Sequence, residues 1–347
     1  MADVSIKSIA KLAGVSTATV SRCLDPRYTN SVLEKKRKKI LGIKKQLGYE
    51  TNVFGRKLRM KCTETITLVL PLNVFNNPQY PDFSGHNAKL FFETIMGVTT
   101  EAQKCGYDIK MLPLFDDNPK TIEKVLSRVG FPHSDGVILA GIYDLEKIYL
   151  AIKKKQIPVI VVGTHIAEMS GITQIASDSQ DAVRQAMRHL YDKKHRKIAF
   201  AVPNDEYMKS PSISQRFNSF RNILMDLRVY DEKLIFKFEN EIAVRNWLAE
   251  NHGTLPFTAL FCNNDAMAFR FIRELEVLKM DVPRDLAVIG YDNNSVYTEA
   301  VGLSTIAIPR YDVGCEALKT IVQMIEKKRN VNGNIIIPAK FIEGRTS

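Results

Sequence analysis

The stretch IKSIAKLAGVSTATVSRCLD, residues 6–25, sets the reading of the whole chain. Ser5 stands where an N-cap belongs, and Ile6, Ile9, Ala10 and Ala13 recur at the spacing that puts them on one helical face. Gly14 stops that helix, as glycine does one position past a C-terminus. Ser16 can cap a second helix from Thr17 to about Leu24, in which Val20 and Leu24 share a face, and Asp25-Pro26 breaks it. A third helix is expected after Asn30 or Ser31. It carries Leu33, Ile40, Ile43 and Leu47, ends at Gly48, and has the outer face EKKRKK. Two helices joined by a tight glycine turn, with a third behind them, suit insertion of the second helix into a DNA major groove.

The charge agrees with that reading. The 347-residue chain has a net charge of +11, and residues 1–64 carry 15 basic against 5 acidic residues. A basic head on a near-neutral body is the footprint of a nucleic-acid-binding module joined to something else. The five cysteines (Cys23, Cys62, Cys105, Cys262 and Cys315) form no CxxC pair, so neither a disulfide framework nor a zinc site is expected, and no metal or cofactor is called for. No apolar run reaches the roughly 18 residues of a membrane span. The opening residues have no apolar core of a signal peptide, so a cytoplasmic protein with no membrane partner is expected.

From Thr65 onward apolar runs alternate with amphipathic stretches. TITLVLP, YDIKMLPL, DGVILAG and IPVIVVG read as strands, with helices between them from Leu90 to Gly106, over NPKTIEKVLSRV and over LEKIYLAIKKK. A second cycle runs through KIAFAVP, KLIFKF, TALFCNND and LAVIGYDN, again separated by helices. Buried strands alternating with helices mean doubly wound parallel sheets, and two cycles mean two α/β lobes with a ligand site at the carboxyl ends of the strands. An enzyme is not expected. No GxGxxG follows a strand, no Walker motif occurs, and His86, His133, His165, His189, His195 and His252 are scattered.

Residues 6–25 closely resemble the lac repressor (LacI/GalR) family of bacterial transcriptional regulators. LGYETN resembles that family's junction into the hinge. DGVIL, IPVIVVG, HRKIAF, RFNSFR, ALFCNNDAMA, VPRDLAVIGYDN and LSTIAIPRYDVG follow in the family's order. The resemblance implies a helix-turn-helix domain over 1–50, a hinge helix or linker over 51–63, and a periplasmic-binding-protein-like effector core over 64–347. Within the core it implies lobe 1 at about 64–175 plus 306–330 and lobe 2 at about 176–305 plus 331–347. It implies a regulator, usually a repressor, that binds a palindromic double-stranded operator as a homodimer, with a tetramer as the alternative. The rival is a solute-binding protein without a DNA role, against which the basic head argues.

On this resemblance Thr17, Ala18 and Arg22 are the base readers, Arg22 through a bidentate contact to guanine. Ser16, Thr19 and Ser21 offer hydroxyls to phosphates. Asn52 caps a hinge helix, Arg56 and Lys57 meet phosphates, and Leu58 is the minor-groove wedge. Three positions depart from the family: Asp25 for its asparagine, Thr51 for its proline and Gly55 for its alanine. The last costs a helix about 0.5–1 kcal/mol, so a hinge that folds on DNA is expected. In the core, Arg216 matches the arginine that grips an effector's hydroxyls or carboxylate, and Asp292 matches an aspartate that accepts sugar hydroxyls. Asn264 is read as a contact, with Asp265 either a second contact or a helix cap. Asp178 is hinge or ligand residue, Phe75, Asn77 and Tyr80 line the first lobe, and Phe238 is a candidate stacking platform. The effector expected is a sugar or derivative, with a nucleobase or nucleoside second.

Overall fold

Residues 5–24, 32–50, 61–71, 81–114, 118–140, 145–164, 172–208, 211–238, 241–251, 254–326 and 333–347 are described by a computed structural model. The chain divides into two units, Met1–Cys62 and Thr63–Ser347.

The first unit contains α1 (Ile6–Ala13), α2 (Thr17–Leu24) and α3 (Glu34–Gln46). The Ser8 amide donates to Ser5 Oγ at 3.4 Å, and Gly14 closes α1 in the left-handed region at φ 68°. Ile9, Ala10, Ala13, Val20, Cys23 and Ile40 form the buried core, with Ile43 and Leu47 packed against it. Leu33 corrects the sequence reading. It is 73% exposed, because it stands at the N-cap ahead of α3 instead of on the helix's buried face.

The second unit holds two parallel sheets. The first has the order β11-β5-β4-β3-β1-β2. Its strands are β1 (Thr65–Pro71), β2 (Asp108–Leu114), β3 (Gly136–Ala140), β4 (Val159–Thr164), β5 (Gln174–Asp178) and β11 (Ile335–Pro338). Along β1, Ile66, Leu68 and Leu70 face α4 (Pro81–Cys105) and α13 (Arg310–Ile325). Val69 faces α5 (Pro119–Leu126) and α6 (Leu145–Lys154) on the other side. This two-sided burial is why these strands read as unbroken apolar runs. The helix expected from Leu90 starts earlier, at Pro81.

The second sheet has the order β7-β6-β8-β9, built from β6 (Ile198–Val202), β7 (Ile235–Lys237), β8 (Ala259–Cys262) and β9 (Ala287–Ile289). Ile198, Phe200 and Val202 pack under α7 (Gln180–Asp192) and α9 (Pro211–Asp226). Ala199 and Ala201 pack under α10 (Glu241–Glu250) and α11 (Asp265–Val277). Short α8 (Asp205–Met208) precedes α9, and α12 (Ser295–Val301) follows β9. An antiparallel pair joins β10 (Thr305–Ala307) to β12 (Lys340–Ile342).

The lobe boundaries differ from those expected. Gln174–Asp178 and Ile335–Pro338 pair with each other in the first sheet. The expected division gave both 176–178 and 335–338 to lobe 2. Thr305–Ala307, by contrast, bonds toward the second sheet through the Ile289–Ser304 and Asp292–Ala307 bridges. The apolar run IIIPAKFI looks like one strand but is two, in different sheets, divided at Ala339. Among the described residues the chain passes between the sheets at three places: after Asp178, between Ala307 and Arg310, and at Ala339.

Helices α4 and α13 cross on the first sheet with their backbones in contact. A Cβ on Gly97 would run into the Tyr311 carbonyl oxygen, and one on Gly314 into that of Thr94. Glycine is used here for close backbone approach. Alanine at either position is expected to destabilise the Thr63–Ser347 unit by about 1–3 kcal/mol, the usual cost of overpacking. This would appear as a lower urea midpoint with an unchanged slope. A midpoint equal to the parent's would contradict the account of this crossing.

Candidate functional site

Two polar surfaces stand out, one in each unit. On α2, Val20 and Cys23 turn inward, leaving Thr17, Ala18 and Arg22 exposed and Thr19 and Ser21 half-buried. Ala18 and Arg22 lie four apart and so share a face. Ser16 is the N-cap: its Oγ accepts the Thr19 amide at 3.2 Å and lies 2.9 Å from Thr19 Oγ1. The expected cap is therefore present, and the remaining amides of the first turn stay open to an anion. Lys35, Lys36, Lys38 and Lys39 are exposed on α3, where Glu34 pairs with Lys38 at 3.0 Å. Asn52, Arg56, Lys57 and Leu58 lie outside the described residues, as do Asp25, Thr51, Gly55, Phe75, Asn77 and Tyr80.

The second surface is the carboxyl edge of the second sheet. Arg216, on α9, is 7% exposed and its guanidinium lies 3.3 Å over the Tyr291 ring. Its Nη1 donates to the backbone oxygen of Asn263 and to Asn263 Oδ1, just beyond β8. Its Nε is buried and, among the described residues, has no hydrogen-bond partner. The Tyr291 hydroxyl lies 2.7 Å from Ser179 Oγ, at the first passage between the sheets. Asp178 sits at the same passage. Its Oδ1 accepts the Gln180 amide at 2.9 Å, and its carbonyl accepts the Ala339 amide at 2.9 Å.

Asn264 takes the cap role that the sequence leaves open for Asp265, and Asp265 is buried among backbone and side-chain donors. Asn264 Oδ1 accepts the Met267 amide at 2.8 Å, so Asn264 is the cap of α11. Asp265 is fully buried. It accepts the Asn294 amide and the Thr305 hydroxyl, each at 2.6 Å. Burial first, and the neighbouring Asp292 carboxylate second, push the Asp265 carboxyl up to about 7. Asp292 has a left-handed φ of 114° and is 2.5 Å from Arg310 Nη2, whose Nη1 also donates to the Asp292 carbonyl at 3.1 Å. Arg310 opens α13, which packs on the first sheet, so this ion pair spans the seam between the sheets.

Arg216, Asn264 and Asp292 thus converge on one sheet edge, with Asp178 at the adjoining passage. Phe238 does not join them. It is 4% exposed, and its ring packs against Phe236, Trp247 and Phe271 at 6.1, 5.6 and 5.1 Å, so it is a core residue with no face left for a ligand. Sequence reasoning missed Asn263, Tyr291 and Arg310. For Arg310 a signal existed, since a buried aspartate needs a counter-charge.

Known proteins bear on both surfaces. The model for bacterial regulatory proteins of the lacI family matches residues 5–52, and that for a periplasmic binding protein-like domain matches residues 187–347. The chain is 30% identical over 331 residues to the probable HTH-type transcriptional repressor ExuR of Bacillus subtilis, over 93% of this chain and 88% of that one. It is 27% identical to the catabolite control protein A of Priestia megaterium, over 99% of each chain. The lac repressor dimer bound to operator and the anti-inducer ONPF superposes with a TM-score of 0.74 at 19% identity, over 99% of this chain and 98% of that one. A complex of the transcriptional regulator CelR with cellobiose gives 0.66 at 21% identity, over 99% and 100%. At these identities the two solved structures show a shared fold.

The Asp265 carboxyl carries a pH signature. Its folded value of about 7 lies above the ordinary 3.8, so the native state holds its proton more tightly than the unfolded chain does. The stability it contributes is complete below the unfolded value and is lost as pH rises through about 7. Asp265→Asn keeps an acceptor for the Asn294 amide and removes the titration. Between pH 5.5 and 8 the urea-derived stability of the variant should gain on the parent by about 2 kcal/mol. Parallel pH profiles for the two proteins would refute this.

Proposed function

The chain belongs to the LacI family of bacterial regulatory proteins and is a DNA-binding transcriptional regulator, and from that premise we propose that it is a cytoplasmic repressor released from or fixed on its operator by a small molecule. The observation that carries the DNA role is the outward face of α2, where Thr17, Ala18 and Arg22 are exposed on a unit whose buried side chains all lie behind them. A helix of this kind enters a major groove by its N-terminal end. Arg22 offers a planar fork to guanine O6 and N7, and Thr17 and Ala18 are short enough to meet thymine methyls. Ser16, Thr19 and Ser21 and the open amides of the first turn take phosphates, and the lysines of α3 add sequence-independent attraction. Asn52, Arg56, Lys57 and Leu58 are assigned to the hinge on the family pattern. The operator is palindromic and the protein a homodimer, in keeping with the lac repressor dimer bound to operator.

The effector site is assigned to the carboxyl edge that holds Arg216 and Asp292, with Asn264 behind it and Asp178 at the hinge. Phe75 and Tyr80 remain assigned to its first-lobe side. A sugar or derivative is the effector class, in keeping with cellobiose in the CelR complex. The role is binding rather than catalysis. An effector that prefers one arrangement of the two sheets changes operator affinity by the ratio of its affinities for the two arrangements.

Selection from a random DNA pool at one salt concentration tests the reading, using the intact chain and a chain lacking residues 1–62. The intact chain is expected to enrich a palindrome and the truncated one nothing. Arg22→Ala is expected to cost about 1–3 kcal/mol on the selected site and to relax base preference at one position in each half-site. Enrichment by the truncated chain, or an Arg22→Ala protein that keeps full preference, would place the reader elsewhere.

A further inference from the structure

Helix α3, EKKRKKILGIKKQ, holds seven basic residues against one acidic. Its inward side is set by Ile40, which is buried in the core, and by Arg37, whose carbonyl oxygen lies 4.0 Å from the Cys23 thiol of α2. At about 3.6 residues per turn, Gly42 falls on the opposite side, away from α2. Lys38, Lys39 and Lys45 stand three or four positions from Gly42 and Lys35 seven, so all four share its face. All four are exposed.

Two features of this face weaken a helix that meets only water. Lys35 and Lys39 are four apart and Lys35 and Lys38 three apart, spacings at which like charges repel. Lys38 has Glu34 at 3.0 Å, but among the described residues Lys35, Lys39 and Lys45 have no acidic partner. Gly42 is the second feature. Glycine weakens a helix interior, and here neither packing nor backbone conformation calls for it: nothing lies within 4 Å of where its Cβ would stand, and its φ is not positive. What glycine does provide is bare backbone between lysines, which a ligand can approach closely.

The dimensions suit a duplex. Lys35 to Lys45 spans about 15 Å along the helix axis, at about 1.5 Å per residue. Over that length one strand of DNA presents about four phosphates. Four exposed lysines beside a bare spine match such a row in sign and length. The duplex read by Thr17, Ala18 and Arg22 lies outside α2, whereas this stripe lies outside α3, with the thickness of both helices between them.

We propose that the outer face of α3 is a second, sequence-independent DNA surface, which takes the phosphate row of a duplex segment other than the one α2 reads. This rests on the DNA-binding reading above and gives the α3 lysines a segment of their own. A protein that grips two segments holds operator DNA against neighbouring DNA.

The test uses the full chain and the palindrome enriched in the DNA selection, on a duplex just long enough for the site. That duplex is immobilised, loaded with protein, and offered a labelled second duplex of unrelated sequence at several salt concentrations. The loaded parent is expected to capture it, with log affinity falling against log salt at a slope of about −3 to −4, or about 0.9 for each phosphate met. A combined Lys35→Gln, Lys38→Gln and Lys39→Gln variant is expected to lose at least tenfold in affinity for the second duplex, and less than that for the operator. Gly42→Glu favours the helix and puts a carboxylate on the spine. It is expected to lose at least fivefold for the second duplex while its operator affinity stays within twofold of the parent. Capture unchanged in both variants would assign the second duplex to another surface and overturn the inference. So would no capture by the parent, or equal losses on operator and second duplex. Capture of phosphatidylglycerol vesicles in place of the duplex would give the stripe to a membrane surface and overturn it as well. In each of these cases the enriched palindrome leaves the regulator reading standing.

Discussion

An inner strand of a parallel sheet covered by helices on both faces has no face to give to water, and both sheets of the Thr63–Ser347 unit are organised around that constraint. Phe200 of β6 packs beneath α9 while its neighbours Ala199 and Ala201 lie under α10 and α11. Ile66 and Val69 of β1 divide between the two helical layers of the first sheet in the same way. The inner strands of each sheet are therefore sealed on both sides, and their carboxyl ends, where strands stop and helices begin, are the places left for polar chemistry. The close crossing of α4 and α13 at Gly97 and Gly314 lets both helices lie on the same face of the first sheet.

At the carboxyl edge of the second sheet most buried polar groups find partners within the protein. Asn264 caps α11, Asp265 gathers the Asn294 amide and the Thr305 hydroxyl, and Asp292 takes Arg310. These bonds hold the loop after β9 in a left-handed conformation at Asp292 and Asn293 that those residues do not prefer on their own. Arg216 stands apart because its bonds to Asn263 and its stacking on Tyr291 hold it in place without neutralising it.

Local chemistry was legible from the sequence, and partnership between distant residues was not. Ser5 and Gly14 marked the ends of α1, and TITLVLP marked β1 residue for residue, because capping and burial are written in neighbouring positions. Arg216, Asn264 and Asp292, named through the order of family motifs, lie at one sheet edge. What each does there depends on residues far away in the chain. Asp265 meets Thr305, Asp292 meets Arg310, and Phe238 meets Trp247 and Phe271. The run IIIPAKFI shows the same limit. Nothing local in it says that Ile335–Pro338 pairs with β5 while Lys340–Ile342 pairs with β10. Leu33 was misread because periodicity was extended one residue past the point where α3 begins.

The passages between the two sheets are where the effector proposed above would act on the Thr63–Ser347 unit. The chain crosses the seam at three places among the described residues, and few polar bonds tie it: Arg310 to Asp292, the Ala339 amide to the Asp178 carbonyl, and Tyr291 to Ser179. Allosteric coupling of the usual size is about 1–3 kcal/mol. A charge-assisted hydrogen bond is worth a comparable amount, about 1.5–3 kcal/mol, so remaking one seam bond between two arrangements is enough to supply it. Arg216 rests on Tyr291, Tyr291 reaches Ser179, and Asp292 follows Tyr291 in the chain and holds Arg310. At the proposed effector site, a ligand held by Arg216 would reach the Ser179 tie through the Tyr291 ring and the Asp292–Arg310 pair through the backbone that joins Tyr291 to Asp292.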